Sequence, residues 1–355
     1  MTIDPQPRPP PDTVSGSCRR CIGKAAHAPR DNRTMRRRKF SITLAVAATV
    51  LLAGCTGGSA VSSGASARAN VESPNASVTT ITSPDVSMPE ISPGDELTTT
   101  GPMRIVSLAT GVGETLAALG AGQRVVGRDE TSDVPAIAGA PIVTKAHAVS
   151  AERVLELEPD LVLVDASTSP PEALDQIRST GVRVVEVPEA WTLADIGPRT
   201  AAVAAAIGVP KDAADRVTAE ATGESFASPT GPKVAFLYLR GTAAVYLIGG
   251  KGSGADALIE AAGGTDVGAA AGLDPFVPLT PEALVAQQPD VILVMTKGLE
   301  SVGGVDGLVT LPGVAQTPAG VSRRVVAVDD TLLLSFGPRT GALIEALHSA
   351  LGQSG

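Results

Sequence analysis

The chain contains one long sequence pattern twice, about 130 residues apart. In Ser150–Val164 a hydroxyl residue is followed two positions later by an acid, and then by a short helical stretch, Pro-Asp and Leu-Val-Leu-Val. Thr280–Val294 repeats that order with Val-Ile-Leu-Val at its end. Each copy predicts a capped helix, a turn and a buried strand. Similar segments at a fixed offset indicate a repeated structural unit. An offset of this length predicts that the unit is a whole domain rather than a solenoid repeat.

Two shorter segments repeat in the same order. Arg183-Val-Val-Glu-Val187 and Gly197-Pro-Arg-Thr200 return as Arg324-Val-Val-Ala-Val328 and Gly337-Pro-Arg-Thr340. Strand patterns alternate with helical patterns through both halves, which predicts two α/β lobes with mostly parallel sheets. Two such lobes facing each other would form a cleft, and small molecules commonly bind in clefts of this kind.

The N-terminal region has the pattern of an export signal. The basic cluster Arg36–Lys39 precedes an apolar run from Ile42 to Ala53, and the run ends in Leu-Ala-Gly-Cys55. The apolar run is too short for a stable transmembrane helix. Its ending resembles the lipobox of bacterial lipoproteins, which implies that Cys55 is acylated and begins the mature protein. An ordinary secretory signal with an incidental cysteine is the alternative.

Changes in composition along the chain predict its organisation. The segment before the signal is rich in Pro and Arg, and the segment after Cys55 is rich in Ser, Thr and Gly and cannot bury a core. The predicted segments are a non-native or discarded extension at 1–34, a lipoprotein signal peptide at 35–54, the lipidated Cys55 with a flexible tether at 55–101, an N-terminal α/β lobe at 102–209, a connecting helix at 210–228 and a C-terminal α/β lobe at 229–355.

The composition beyond Cys55 excludes several kinds of site. No cysteine follows Cys55, so disulfides and thiolate metal sites are excluded from the predicted lobes. This part of the chain carries 18 basic and 34 acidic residues, a formal charge of −16, which argues against nucleic acid as a partner. Only His147 and His348 remain as imidazoles, too few for a zinc site built on several histidines.

Side chains that could bind a ligand occur at matching strand ends in the two lobes. In Phe236-Leu-Tyr238-Leu-Arg240 the strand period of two puts Phe236, Tyr238 and Arg240 on one face. An arginine is costly on a dry core face, and ligands bind at the carboxyl ends of parallel strands. His147 occupies the equivalent strand-to-helix position in the first lobe. A solvated loop histidine and a packed tyrosine are the alternatives for these residues taken singly.

The order of elements resembles a known family. Two α/β lobes with a single helical connector, together with Glu114-Thr-Leu-Ala-Ala-Leu-Gly120 and Gly263-Gly264 after a helix, resemble the substrate-binding proteins of iron-chelate, heme and cobalamin ABC transporters. The resemblance covers roughly residues 102–353. It implies two Rossmann-like lobes with parallel sheets, joined by a single long helix, with the ligand cleft between them. It also implies a protein that catalyses no reaction and delivers its ligand to a permease dimer.

The histidine and the Tyr-x-Arg sequence resemble the heme-binding members of that family. The resemblance implies ferric heme b as the transported ligand, His147 and Tyr238 as axial ligands, and Arg240 as support for the phenolate. Phenolate oxygen suits ferric iron and imidazole is a common heme ligand. Met295, Trp191 and Phe276 are candidates for the heme pocket, although Met295 could instead fill the core.

Two other functions stay open at this point. The first is an iron–siderophore or cobalamin receptor of the same transporter family. The second is an exported enzyme on a nucleotide-type fold, although the sequence offers no nucleophile–base pair to support it.

Two glutamates occupy matching positions in the repeat. Glu152 and Glu282 each stand two residues after the predicted helix caps Ser150 and Thr280. The resemblance implies that this pair docks on the permease dimer. The alternative is local, because an acid in the first turn of a helix stabilises the helix dipole.

Overall fold

The computed structural model of the chain describes residues 78–88, 101–145 and 148–352. The predicted extension at 1–34, the signal peptide at 35–54, Cys55 and His147 lie outside the described residues. In the part that is described, every helix is too short or too polar to cross a lipid bilayer.

Strands and helices alternate along most of the described chain. The strands are β1 (Val78–Ile81), β2 (Ile105–Ser107), β3 (Val125–Arg128), β4 (Thr144–Lys145), β5 (Ala148–Val149), β6 (Leu161–Val164), β7 (Arg183–Glu186), β8 (Lys233–Arg240), β9 (Val245–Gly249), β10 (Thr265–Asp266), β11 (Phe276–Pro278), β12 (Val291–Met295) and β13 (Val325–Val328). The α-helices are α1 (Val112–Ala118), α2 (Ala151–Leu155), α3 (Pro171–Ser179), α4 (Leu193–Ile207), α5 (Lys211–Thr222), α6 (Ala255–Ala261), α7 (Val267–Ala270), α8 (Pro281–Gln287), α9 (Thr296–Ser301), α10 (Gly304–Thr310), α11 (Pro318–Ser322), α12 (Asp330–Leu333) and α13 (Thr340–Gly352). Single 3-10 turns cover Ser83–Asp85, Gly122–Arg124, Pro135–Ile137, Gly241–Ala243 and Val314–Gln316.

The N-terminal lobe is built on a parallel sheet of order β3-β2-β6-β7. Neighbouring residues of a strand point to opposite faces, and both faces are covered: Ile105 belongs to one apolar cluster and Val106 to another. All four residues of β6 are buried, as expected for a strand packed on two sides. The predicted parallel α/β lobe is confirmed.

The C-terminal lobe has a larger sheet of order β1-β13-β12-β8-β9-β11, with β10 added beside β8. The strands β1, β13, β12 and β8 are parallel, but β9 and β11 run antiparallel to their neighbours. The sheet is therefore mostly parallel, as predicted, with an antiparallel edge formed by β9 and β11. Only the residues from Gly241 to Ala244 join β8 to β9, and a parallel crossover needs a dozen or more.

The repeated Pro-Asp turns make the same hydrogen bonds in both lobes. The Asp160 carboxylate accepts the backbone N–H of Arg104 at 3.0 Å, and the Asp290 carboxylate accepts that of Lys233 at 2.9 Å. In return the N–H groups of Asp160 and Asp290 donate to the carbonyls of Arg104 and Lys233, each at 2.8 Å. Each turn therefore holds the start of an inner strand of its sheet, β2 in the N-terminal lobe and β8 in the C-terminal lobe.

The repeated arginines at the start of β7 and β13 also have equivalent partners. Arg183 donates to the carbonyl of Ala206 near the end of α4 at 3.0 Å, and Arg324 donates to that of Leu351 near the end of α13 at 2.6 Å. A cation is favourable at a helix C-terminus, where carbonyl groups lack partners in the helix. The internal repeat is therefore a repeat of structure, down to single hydrogen bonds.

A strand lies within the range predicted as a flexible tether. Val78–Ile81 pairs in parallel with Val325–Val328, Ile81 is buried, and its carbonyl accepts the N–H of Asp329 at 2.9 Å. The short Val-Thr-Thr-Ile sequence is rich in β-branched residues and covers what would otherwise be the open edge of β13. The tether prediction is thus wrong at these residues, while 55–77 and 89–100 lie outside the described part.

The connection between the lobes is helical but shorter than predicted. The connecting helix α5 begins at Lys211 and ends at Thr222 rather than near residue 228. Gly223 follows with a positive φ of 58°, and the chain then leads to β8. The helix α5 packs against both α4 and α13. One buried apolar cluster contains Ala190, Ile196 and Phe236, so the two lobes share part of a core.

Candidate functional site

Polar side chains gather at the carboxyl end of β8 in the C-terminal lobe. Tyr238 and Arg240 are partly exposed, whereas Leu237 and Leu239 beside them are fully buried. This alternation is the one expected for a strand. The carboxyl end of a strand in such a sheet is also the usual place for a ligand.

The guanidinium of Arg240 lies over the ring of Tyr238. Its central carbon is 4.5 Å from the ring centroid, and one of its nitrogens donates to the carbonyl of Leu239 at 2.9 Å. A cation in this position is attracted by the electron-rich ring face. Among the described residues the Tyr238 hydroxyl has no hydrogen-bond partner, so the phenol oxygen is available to an incoming group.

Asp330 connects Arg240 to two neighbouring helices. One carboxylate oxygen lies 3.7 Å from an Arg240 nitrogen, and the other accepts the backbone N–H of Lys297 at 2.9 Å. The Asp330 side chain is 13 % exposed. The residue begins α12 and is separated from the end of β13 only by Asp329. Asp330 was not among the site residues predicted from the sequence. The Asp329-Asp330 pair that follows the repeated strand is the signal that could have identified it.

The three candidate pocket residues have different surroundings. The Phe276 ring on β11 meets the Tyr238 ring edge-on, with 5.8 Å between centroids. Trp191 is 42 % exposed after β7, and its indole N–H donates to Glu189 at 3.3 Å. Met295 is 4 % exposed and belongs to the buried cluster of the C-terminal lobe. The structure therefore supports the core-packing alternative for Met295 and leaves ligand surface on Trp191.

The position of His147 is bracketed by a two-stranded hairpin. Thr144 pairs with Val149 and Lys145 with Ala148, and the two residues between the strands lie outside the described part. Val149 donates its N–H to the carbonyl of Ser169 at 2.7 Å, which attaches the hairpin to the loop after β6. Across the described ranges, no three histidine, cysteine, aspartate or glutamate side chains are grouped as a metal site.

The two repeated glutamates are exposed in the first turns of α2 and α8. The caps match as well, because the Ser150 hydroxyl accepts the N–H of Arg153 at 3.4 Å and the Thr280 hydroxyl accepts that of Ala283 at 3.2 Å. Within the described chain, neither the Glu152 nor the Glu282 side chain forms a hydrogen bond or an ion pair. Their carboxylates are therefore free to meet a partner.

The chain is similar to a family of binding proteins and to several solved structures. A periplasmic binding protein family model matches residues 105–332. The periplasmic heme-binding protein RhuT from Roseiflexus sp. RS-1, in its apo form, is 42% identical; the match covers 71% of this chain and 98% of RhuT, with a TM-score of 0.66. The heme-binding protein HmuT is 33% identical, with 79% and 98% covered and a TM-score of 0.69.

A third structure is the periplasmic heme-binding protein BhuT in complex with two hemes, which is 36% identical, with 70% and 97% covered and a TM-score of 0.61. HmuT has also been solved with single alanine substitutions of a histidine, a tyrosine and an arginine. Among curated proteins, none matches this chain. The family match over residues 105–332 and the identity to RhuT along nearly all of its length lead to one conclusion: the chain belongs to the periplasmic binding protein family.

Proposed function

We propose that this protein is an extracytoplasmic receptor that captures ferric heme b between its lobes and delivers it to an ABC permease, without catalysing a reaction. The observation that carries the proposal is the pair at the end of β8, a partly exposed Tyr238 with the Arg240 guanidinium over its ring. The similarity to RhuT, HmuT and BhuT, whose names include heme binding, supports the same ligand.

The spacing of the substituted HmuT residues adds support for the ligand assignment. The tyrosine and the arginine replaced in HmuT stand two positions apart, as Tyr238 and Arg240 do here. We assign Tyr238 as an axial ligand through its phenolate oxygen and His147 as the second ligand from the opposite lobe. Arg240 supplies positive charge beside the anionic ligand, and Phe276 and Trp191 offer aromatic surface to the porphyrin.

The two ligands have different chemical roles. An anionic oxygen partly compensates the charge of Fe(III), and this compensation is worth more in a cleft of low dielectric than in water. A neutral imidazole adds a bond to iron but no charge. We therefore assign Tyr238 the larger share of hemin retention and His147 the smaller.

Titration with hemin tests the ligand class. Trp191 is the only tryptophan of the chain, so quenching of its fluorescence reports binding, and a shifted Soret band reports coordination of the iron. We expect both signals to saturate at a fixed hemin stoichiometry, with no competition from cobalamin or a ferric siderophore. Quenching by one of those two compounds, together with an unshifted Soret band, would instead establish the alternative receptor.

Delivery to the permease would use the two exposed acids and a lipid anchor. Glu152 and Glu282 lie in the first turns of equivalent helices in the two lobes, and a dimeric permease could bind them with a pair of basic sites. The Leu-Ala-Gly-Cys55 sequence supports lipidation at Cys55 and retention at the cell membrane. Replacing Cys55 by alanine should abolish labelling by radioactive palmitate and release the protein from membranes. Continued labelling of that variant would exclude the anchor.

A further inference from the structure

An arginine of the N-terminal lobe reaches into the C-terminal lobe at the joint between them. Arg199 in α4 is 4 % exposed, and it donates to the carbonyl of Thr110 at 3.2 Å. Its other terminal nitrogen donates to the carbonyl of Ser335 at 2.6 Å and to that of Phe336. One guanidinium thus binds backbone oxygens of both lobes.

A second arginine crosses the joint in the opposite direction. Arg339 directly precedes α13, and its guanidinium forms a two-pronged ion pair with Glu114 of α1, one contact being 3.1 Å long. The two side chains are 3 % and 0 % exposed. The remaining nitrogen of Arg339 donates to Ser83, in the turn that follows β1. Both arginines come from the repeated Gly-Pro-Arg-Thr segments.

Two glycines let the lobes approach more closely than side chains would allow. A Cβ atom on Gly111 would lie 2.4 Å from the carbonyl oxygen of Ser335 in the other lobe. A Cβ atom on Gly337 would lie 2.9 Å from a carboxylate oxygen of Glu114. Phe336 holds a left-handed φ of 45° at this place, a conformation that a bulky residue keeps only where its surroundings impose it. The contact surface is therefore closely fitted.

Moving the two lobes apart would leave buried charged groups without their partners. Burial lowers the pKa of Arg199 to about 10, so the guanidinium stays charged at neutral pH. Burial raises the pKa of Glu114, and the ion pair with Arg339 opposes that rise. A buried charge that loses its partner is strongly destabilising. Opening the lobes would break both sets of bonds together.

We propose that Arg199 and Arg339 form a reciprocal clamp that fixes the separation of the lobes and so sets the width of the cleft. They act as positioning residues, because they hold the edge that carries Tyr238 at a constant distance from the edge that carries the His147 hairpin. A fixed width selects a flat ligand whose central atom can be bound from both sides. The ligand part of this inference rests on the proposed function, and the clamp itself does not.

The clamp can be tested without any ligand, by measuring an interlobe distance. Spin labels at Gln176→Cys in α3 and Ala286→Cys in α8 would report the separation in the full chain, with Cys18, Cys21 and Cys55 replaced by serine. Pulsed electron resonance should give one narrow distance distribution. Gly111→Ala inserts a methyl group against Ser335 and should shift or broaden it.

Two further variants make the outcome decisive. Gly181→Ala is the matched control, because Gly181 also has a positive φ, of 89°, but has no atom within 4 Å of the added methyl group; its distribution should equal that of the parent. Arg199→Lys keeps the charge but replaces the guanidinium fork by a single ammonium, and it should broaden the distribution as well. An unchanged narrow distribution in folded Gly111→Ala or folded Arg199→Lys would overturn the clamp.

Hemin then tests the consequence for the ligand. In Arg199→Lys we expect the tyrosinate band to remain while the spin state changes, because the second ligand no longer reaches the iron. A broadened distance with an unchanged heme spectrum would overturn the role in cleft width. If the parent does not bind hemin, the proposed function fails, but the distance measurements still decide whether the clamp exists.

Discussion

Four parallel strands form the sheet of the N-terminal lobe, whereas the C-terminal lobe adds the antiparallel β9 and β11 to its parallel strands. The added edge places Phe276 against Tyr238. The N-terminal lobe has instead the β4–β5 hairpin, which brackets His147. The repeated elements thus provide equivalent scaffolds. Tyr238 lies on β8, one of the equivalent strands, whereas the antiparallel edge beside it and the hairpin of the other lobe have no counterpart across the repeat.

The repeated contacts lie mainly at strand starts and helix ends. Asp160 and Asp290 hold the starts of β2 and β8, and Arg183 and Arg324 bind the ends of α4 and α13. Where the two lobes touch, the repeat makes different bonds, because Arg199 binds carbonyl groups and Arg339 binds a carboxylate. The asymmetry predicts that the two arginines are not equally important for stability.

Removing Arg339 should have the largest effect. Arg339→Ala leaves the Glu114 carboxylate buried without its partner, which costs roughly 3–5 kcal/mol of the free energy of unfolding. Arg178→Ala is the control, since it removes an exposed ion pair with Asp175 and should cost about 1 kcal/mol or less. Urea unfolding followed by circular dichroism measures both. Equal losses in the two variants would contradict the account of the joint.

The proposed ligands should contribute unequally to hemin retention. Tyr238→Ala removes the anionic ligand and should weaken retention by roughly 100-fold or more, beyond what loss of a supporting residue at a metal site typically costs. His147→Ala removes a neutral ligand and should weaken retention less than Tyr238→Ala does, because no negative charge beside Fe(III) is lost. The rate of hemin transfer to apomyoglobin measures both. A greater loss in His147→Ala would reverse the assignment of the main ligand to the C-terminal lobe.

The sequence predicted the scaffold well because the scaffold is encoded locally. The Pro-Asp sequences and the apolar runs that follow them predicted the turns before β6 and β12 and the burial of both strands. The pairing of Val78–Ile81 was missed, because four residues in a Ser- and Thr-rich segment become a strand only when the edge of β13 is present. Propensity is a weak guide where a tertiary contact decides the structure.

The site was predicted only in part, because the sequence pattern shows local features but not contacts between distant elements. Strand periodicity was enough to place Tyr238 and Arg240 on one face. It could not show that Arg240 stacks on the tyrosine ring or that Asp330 binds Arg240, because those contacts join different strands and helices. The Gly-Pro-Arg-Thr repeats were visible in the sequence, but only the fold shows that both arginines cross the joint.

Two buried aspartates, one in each lobe, should differ in their effect on stability. Asp129 accepts hydrogen bonds from Thr131 and Ser132, whereas one oxygen of Asp266 has no partner in the described residues. Burial raises the pKa of Asp266 to about 6. Between about pH 4 and about pH 6 the Asp266 carboxyl is therefore protonated in the folded state and ionised in the unfolded state. The free energy of unfolding consequently falls as the pH rises through this range.

The substitution Asp266→Asn should remove that pH dependence and stabilise the protein at pH 7 by at most about 3 kcal/mol, the equivalent of two pKa units. The asparagine oxygen can still accept the N–H of Ala269, which caps α7. Asp129→Asn is the contrasting variant and should destabilise, since it loses hydrogen bonds. Thermal unfolding at several pH values measures each. A difference in melting temperature between wild type and Asp266→Asn that does not vary with pH would contradict the raised pKa of Asp266.

The exposed acids should have the smallest effect on the isolated protein. Reversing Glu152 and Glu282 together to lysine should change stability by about 1 kcal/mol or less, because surface charges contribute little, and should not change hemin affinity. Uptake by cells should nevertheless be lost. The double variant Glu172→Lys and Glu300→Lys makes the same change of charge at other exposed positions and should transport normally. Normal uptake by the first variant would leave these acids as residues that only stabilise helix starts.

The absorption spectrum of the ferric heme complex tests the central claim most directly. Wild type should show a phenolate-to-iron charge-transfer band, and Tyr238→Phe should lose it while keeping the aromatic ring beside Phe276. Tyr246→Phe removes the only other tyrosine hydroxyl of the chain and should keep the band. A band that survives in Tyr238→Phe and disappears in Tyr246→Phe would contradict the site at the end of β8.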